Sequence, residues 1–121
     1  MLNKIIKRGQ IYMAELGSGK GSVQGGSRPV IVISNQLNNK FAPTVNVLPI
    51  TSKTKNSIPV HVDIGIESGL QTESVILVEQ AIVINKSQIT KYIDECSKDK
   101  MISIAKAIVL QMSLDEELQI S

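Results

Sequence analysis

Arg28 lies between a glycine-rich segment and a proline, in the run Gln24-Gly25-Gly26-Ser27-Arg28-Pro29. Proline fixes its own φ and pushes the preceding residue to extended backbone, so Arg28 cannot lie inside a helix. The glycines let backbone N–H groups approach an anion closely, and a guanidinium can bind two phosphate oxygens at once. The run therefore predicts a phosphate-binding site. The alternative is a glycine-rich hairpin that carries a solvated arginine.

The usual side chains of hydrolytic enzymes are scarce. The chain has one histidine, His61, and one cysteine, Cys96, so its sequence contains no His/Cys/Asp cluster and no zinc-ligand spacing. His61 alternates with apolar residues in a predicted strand, and Cys96 precedes an apolar helix, so we interpret both as structural. The sequence predicts neither a resident metal ion nor a cofactor, and no disulfide within the chain.

The charged residues are distributed unevenly along the chain. Residues 1–55 contain eight basic side chains and one acidic one, whereas residues 56–121 contain five basic and ten acidic ones. This asymmetry favours a first half that faces a polyanion. The alternative is that the charges simply occupy solvent-exposed positions.

Six strands and one late helix are predicted to position these side chains. The segment 17–27 holds five of the chain's eight glycines and is predicted to be a loop. Strands are predicted at 10–16, 29–34, 44–51, 59–63, 74–78 and 80–84, with a short helical turn at 87–90. Ser97 is the predicted N-cap of a helix whose apolar positions recur at helical spacing: Met101, Ile104, Ala105, Ile108 and Met112.

This order of elements favours a mainly antiparallel β-barrel with a C-terminal amphipathic helix over a parallel α/β sheet. A chain of 121 residues with 42% hydrophobic residues is expected to form one domain, residues 1–121. We find no apolar run typical of a secretory signal or of a membrane span, and therefore expect a cytoplasmic protein with no membrane partner.

Six short motifs, taken together and in this order, resemble the MazF/PemK toxin family. They are Lys7-Arg8-Gly9-Gln10-Ile11-Tyr12, Ser22-x-Gln24-Gly25-Gly26-x-Arg28-Pro29-Val30-x-Val32-Ile33-Ser34-Asn35, Phe41-x-Pro43-Thr44, Pro49-Ile50-Thr51-Ser52, Pro59-x-His61-Val62 and Ser74-Val75-Ile76-Leu77-x-Glu79-Gln80. The resemblance covers a core of about residues 7–112. It implies an SH3-like (CcdB/MazF-type) β-barrel with a C-terminal helix, a homodimer, and a toxin endoribonuclease that a small MazE-like antitoxin inhibits.

The resemblance also implies which residues act on RNA. In this family the Arg of Q-G-G-x-R-P and the Thr of the I-T-S segment carry cleavage, which correspond here to Arg28 and Thr51. The attacking group would be the 2′-OH of single-stranded RNA, giving a 2′,3′-cyclic phosphate and a 5′-OH without a metal. The residues expected to bind RNA are Ser22, Gln24, Gly25, Gly26, Lys53, Ser74, Glu79 and Gln80. Glu79-Gln80 could instead be a polar turn, and Lys53 an ordinary solvated lysine.

Val23 departs from the family pattern, because many members carry an acidic residue directly before the Gln of the loop. The general base for the 2′-OH is therefore not identified by the resemblance, and water or another carboxylate would have to replace it. Since the chain has only two tyrosines and one phenylalanine, we expect bases to be read by polar groups rather than by stacking. Two other functions stay open: a CcdB-like protein that poisons gyrase, and a catalytically silent RNA-binding module.

Overall fold

The computed structural model describes residues 5–52 and 57–119. Within these ranges the chain forms seven strands and three α-helices. They are β1 (Gln10–Glu15), β2 (Ser27–Val32), α1 (Gln36–Phe41), β3 (Thr44–Ser52), β4 (His61–Ile64), β5 (Ser74–Leu77), β6 (Ile82–Asn85), β7 (Ile89–Glu95), α2 (Lys98–Gln111) and α3 (Leu114–Leu118). Three single 3-10 turns, Ile66–Ser68, Val78–Gln80 and Lys86–Gln88, connect the later strands.

The described strands pair antiparallel throughout, in the order β4-β5-β3-β2-β1-β7, and β6 adds to β3. Strand β3 is the longest of the described strands, and it pairs with three other strands along its length. Residues 44–47 pair with β6, residues 47–49 with β2, and residues 50–52 with β5. The predicted mainly antiparallel β class with a C-terminal helix is confirmed.

Both faces of strands β1 and β2 are buried. Ile11 and Ile31 point into one hydrophobic cluster, which also contains Ile104 of α2, whereas Tyr12 and Val30 belong to a second cluster. Alternate residues of a strand face opposite sides of the sheet, so a strand that is covered on both sides needs apolar residues at successive positions. This explains the unbroken apolar run of β2, which the sequence shows as a strand without alternation.

Helix α2 packs on the first cluster, as its pattern predicts. The Ser97 hydroxyl accepts a hydrogen bond from the Lys100 backbone N–H at 3.1 Å and caps the helix, which confirms the predicted start. Ile104 is fully buried, and Met101 packs partly against the same cluster. Met112 is an exception, since it lies at the C-cap and is largely exposed.

Helix α1 and most of strand β7 are absent from the sequence-based prediction. Helix α1 is built from polar residues and starts at Asn35, whose side chain accepts from the Asn38 N–H at 2.9 Å. The predicted helical turn at 87–90 is wrong in its second half, because the 3-10 turn ends at Gln88 and Ile89 begins β7. No helix in the described ranges is both long and apolar enough to cross a bilayer.

Candidate active site

Arg28 and Thr51 lie side by side on neighbouring strands. Val30 of β2 pairs with Pro49 of β3, and continuing this antiparallel register by two residues brings Arg28 opposite Thr51. The side chains meet there, since Nη1 of Arg28 donates a hydrogen bond to Oγ1 of Thr51 at 3.3 Å. Arg28 Nε also donates to the carbonyl oxygen of Gly25 at 2.9 Å. The half-buried guanidinium is therefore held on two sides by the strand and by the glycine-rich loop.

The glycine-rich loop closes on itself before it reaches Arg28. The Gly26 N–H donates to the Gly17 carbonyl at 2.7 Å, and the Leu16 N–H donates to the Gly26 carbonyl at 2.9 Å. Gly26 has φ of 73°, a left-handed conformation that favours glycine. A Cβ on Gly25 would collide with the backbone of Gly19. The loop needs glycines here because two stretches of its backbone touch.

Gln80 fastens the same loop from the opposite side. Its side-chain Oε1 accepts from the Gln24 N–H at 2.9 Å, and its Nε2 donates to the Ser22 carbonyl at 2.8 Å. One amide therefore binds a donor and an acceptor of the loop, as a neighbouring strand would. We call these two hydrogen bonds the Gln80 clamp.

A cavity of about 630 Å³ opens beside the Arg28–Thr51 pair. Ser74 lines it, with its hydroxyl donating to the Thr72 carbonyl at 3.0 Å, and Lys91 lines the far wall. Among the described residues that line the cavity there are two cationic side chains and no carboxylate. The described ranges also hold no group of three or more His, Cys, Asp or Glu side chains arranged to bind a metal ion. The arrangement suits an anion with several oxygens, such as a phosphodiester.

The family model described as PemK-like, MazF-like toxin of type II toxin-antitoxin system matches residues 7–112. A curated relative, Endoribonuclease EndoA of Bacillus subtilis (strain 168), is 39% identical over 112 residues, which are 91% of this chain and 97% of the relative. The chain belongs to the PemK-like, MazF-like toxins. The predicted family and enzyme class, a toxin endoribonuclease, are confirmed at this level.

Solved structures of MazF-like toxins share the fold. MazF from Deinococcus radiodurans superposes with a TM-score of 0.78 at 20% identity, covering 92% of this chain and 99% of that one. An endoribonuclease from a mycobacterial species, solved in complex with its cognate antitoxin, gives 0.74 at 22% identity and covers 93% and 96% of the two chains. At these identities the likeness shows the fold alone, and it confirms the predicted CcdB/MazF-type class.

The toxin's predicted RNA-binding residues occupy three places. Ser74 lines the cavity with Arg28 and Thr51. Five others belong to the glycine-rich loop and its clamp and do not line the cavity: Ser22, Gln24, Gly25, Gly26 and Gln80. Lys53 lies outside the described residues. Contacts of these side chains with RNA stay predictions.

Glu79 turns away from the cavity and contacts His61. The Ile58 N–H donates to His61 Nδ1 at 3.4 Å, which leaves Nε2 as the donor to Glu79 Oε2 at 3.0 Å. The other carboxylate oxygen of Glu79 is buried and has no hydrogen-bond partner among the described residues. His61 thus anchors the strand-to-turn corner that carries Gln80, which agrees with its interpretation as structural. Cys96 is also buried, and burial is the main reason that the pKa of its thiol is raised.

Sequence reasoning missed the wall of the cavity formed by Lys91 and Tyr92. Both belong to β7, a strand that the sequence does not reveal, since its pattern reads as a turn followed by polar residues. Gln71, on the loop before β5, completes the opposite wall. Without the pairing of β7 to β1, nothing in the sequence places these residues near Arg28.

Proposed function

We propose that this toxin cleaves single-stranded RNA by attack of the 2′-OH on the adjacent phosphorus. The O2′–P bond forms as the P–O5′ bond breaks, leaving a 2′,3′-cyclic phosphate and a 5′-OH. The hydrogen bond between Arg28 and Thr51, beside a cavity that carries two cations, is the observation that carries this proposal. RNA supplies its own nucleophile, so the protein has to align it and stabilise charge on the phosphoryl oxygens.

Arg28 acts as the charge stabiliser and proton donor. A guanidinium has five N–H donors, and the described contacts to Gly25 and Thr51 use two of them. The others can bind phosphoryl oxygens and give a proton to the departing 5′ oxygen. A guanidinium stays protonated at neutral pH and is therefore a poor base, so Arg28 does not take the 2′-OH proton.

Thr51 donates to the phosphate. Because its Oγ1 already accepts from Arg28, its own proton points elsewhere and can bind a phosphoryl oxygen. We assign removal of the 2′-OH proton to water, because no carboxylate lines the described part of the cavity and Val23 occupies the family's acidic position.

Incubating the purified toxin with a defined single-stranded RNA in excess chelator tests this proposal. The wild type should cut at few sites and leave ends that a phosphatase cannot dephosphorylate until acid opens the cyclic phosphate. Arg28→Ala and Thr51→Ala should fold and lose about a hundred-fold or more of the rate. Arg8→Ala, which removes the exposed second arginine, is the matched control.

Three results would contradict it. Cleavage by Arg28→Ala at the wild-type rate would point to a contaminating nuclease. Intact RNA with the wild type, despite binding, would favour a silent RNA-binding module. Intact RNA with inhibition of gyrase would favour the CcdB-like function.

We further propose that this single-domain toxin acts as a homodimer on cytoplasmic RNA and is inhibited by a MazE-like antitoxin. Structures of MazE–MazF complexes from Deinococcus radiodurans, which share this fold, support the antitoxin proposal. Coexpression with a MazE-like antitoxin should yield a stable complex that has lost RNA cleavage. Sedimentation of the free toxin should give twice the chain mass of 13.2 kDa.

A further inference from the structure

The wall of the cavity formed by β7 has no part in the proposed chemistry. Tyr92 and Lys91 line the cavity, as do Gln71 and Thr72. A volume of about 630 Å³ lies in the range of sites for small organic ligands, about 300–1,000 Å³, and exceeds what one phosphate group needs. The space beside Arg28 and Thr51 therefore has room for part of a nucleotide.

The ring of Tyr92 is supported by a neighbouring ring and is accessible to solvent. Its ring meets the ring of Tyr12 edge to face, with centroids 5.6 Å apart and planes at 74°. Tyr12 is buried, and its hydroxyl is hydrogen-bonded to Gln10 at 2.6 Å, so the supporting ring is itself fixed. Tyr92 is 47% exposed. A held ring with an open surface can stack on a base at little cost in side-chain entropy.

Two irregularities in the pairing of β1 with β7 flank Lys91 and Tyr92. The pairing of β1 with β7 shifts register between Ile11 and Tyr12 and again between Met13 and Ala14. Lys91 and Tyr92 lie between these two shifts, opposite Met13 and Tyr12. Bulges of this kind bend a strand and redirect its side chains.

We propose that Tyr92 and Lys91 form a nucleobase subsite next to the scissile phosphate. Tyr92 stacks on the base of a nucleotide that flanks the cleaved bond, and the Lys91 ammonium binds the following phosphate. The proposal rests on the proposed RNA cleavage and departs from the expectation that bases are read by polar groups rather than by stacking. It makes Tyr92 an RNA-binding residue with only a modest base preference, because every base has a π face that can stack.

Binding of an uncleavable RNA, with a 2′-deoxy nucleotide at the cut site, tests the subsite by fluorescence anisotropy. Tyr92→Leu, which keeps apolar volume without a π face, should weaken binding about 5- to 150-fold. Tyr92→Phe should bind within about two-fold of the wild type. Phe41→Ala is the matched control, since Phe41 is the other exposed aromatic and does not line the cavity. Thermal unfolding of each variant checks its fold.

Two further measurements locate the contacts. An abasic substitution at the stacked nucleotide should weaken wild-type binding as much as Tyr92→Leu does, and combining the two changes should add nothing. Lys91→Gln should lower the slope of log affinity against log salt by about 0.7. With cleavable RNA, Tyr92→Leu should raise KM and leave kcat near the wild-type value.

Unchanged binding by Tyr92→Leu, or fully additive effects at every abasic position, would overturn the subsite. If the wild type binds RNA through Tyr92 but never cuts it, the proposed function fails and the subsite stands. If the wild type cuts RNA and Tyr92→Leu matches it in both KM and affinity, the subsite fails and the proposed function stands. A wild type that binds no RNA would overturn both.

Discussion

The Arg28–Thr51 hydrogen bond decides the direction in which the threonine can act. Oγ1 of Thr51 accepts from the guanidinium at 3.3 Å, which orients its own proton away from Arg28. A serine or threonine hydroxyl without such a donor rotates freely and has no preferred target. In the proposed reaction, the pairing therefore orients one extra donor for a phosphate before substrate binds. Preorganised donors of this kind lose little free energy to reorganisation during the reaction.

Val23 offers a direct test of the missing general base. Its side chain is 57% exposed and directly precedes Gln24, which the Gln80 clamp holds. Val23→Glu should raise kcat about ten-fold or more, because a positioned carboxylate takes up the 2′-OH proton. Since the base works only when ionised, the added rate should disappear as the pH falls through about 4.3, the ordinary pKa of glutamate.

The control for this prediction is Val23→Gln, because glutamine is similar to glutamate in size and is polar but does not titrate. Single-turnover cleavage measured across the pH range separates the two variants. Equal rates for Val23→Glu and Val23→Gln at neutral pH would mean that position 23 cannot reach the 2′-OH.

Between elements, the Gln80 clamp is the contact that couples the late 3-10 turn to the glycine-rich loop. Gln80→Leu should remove both hydrogen bonds and free the loop that positions Arg28. We expect kcat to fall about ten-fold or more, since misplacement of a catalytic group by about 1 Å can cost a hundred-fold. Hydrogen exchange at the Gln24 amide should become faster in the free protein.

Gln36→Leu is the matched control, because Gln36 also donates from its side chain to a backbone carbonyl, that of Ile6, and neither residue belongs to the loop. If Gln80 acts only by contacting RNA, Gln80→Leu should leave hydrogen exchange at Gln24 unchanged and should change KM alone. That outcome would contradict the positioning role.

The contrast between β2 and β7 shows how far the sequence predicts this fold. The apolar run of β2, with Pro29 and the glycines before it, predicts a strand from local rules. The strand begins at Ser27 and contains Arg28, whereas the predicted range 29–34 places Arg28 in front of it. β7 has the sequence Ile-Thr-Lys-Tyr-Ile-Asp-Glu, in which only Ile89 is buried, and its pairing with β1 is long-range. No local pattern gives such a pairing, so the cavity wall with Tyr92 could not be predicted. Thr51 was found only through the family resemblance, because a threonine in a strand carries no chemical signal alone.

In the whole molecule, the site lies where β3 changes partners. Pro49 and the residues before it pair with β2 or β6, and Ile50 and those after it pair with β5. Thr51 lies just after this change. Its backbone therefore pairs with β5, whereas its side chain is hydrogen-bonded to Arg28 of β2. The position of the proposed catalytic pair therefore depends on the cluster that packs beneath β2 and β3, which includes Ile31, Leu48 and Ile104.

Ile104→Ala tests this dependence through stability. Ile104 is fully buried in that cluster, and truncation of such a side chain costs about 2–5 kcal/mol of unfolding free energy. For a chain of this size the melting temperature should fall by about 10 °C or more, as followed by circular dichroism. Ile102→Ala, on the same helix but 50% exposed, should shift it far less. If the core only supports the fold, Ile104→Ala should still cut RNA at low temperature with an unchanged KM. A KM that rises well below the melting temperature would mean that the cluster also sets the spacing between Arg28 and Thr51.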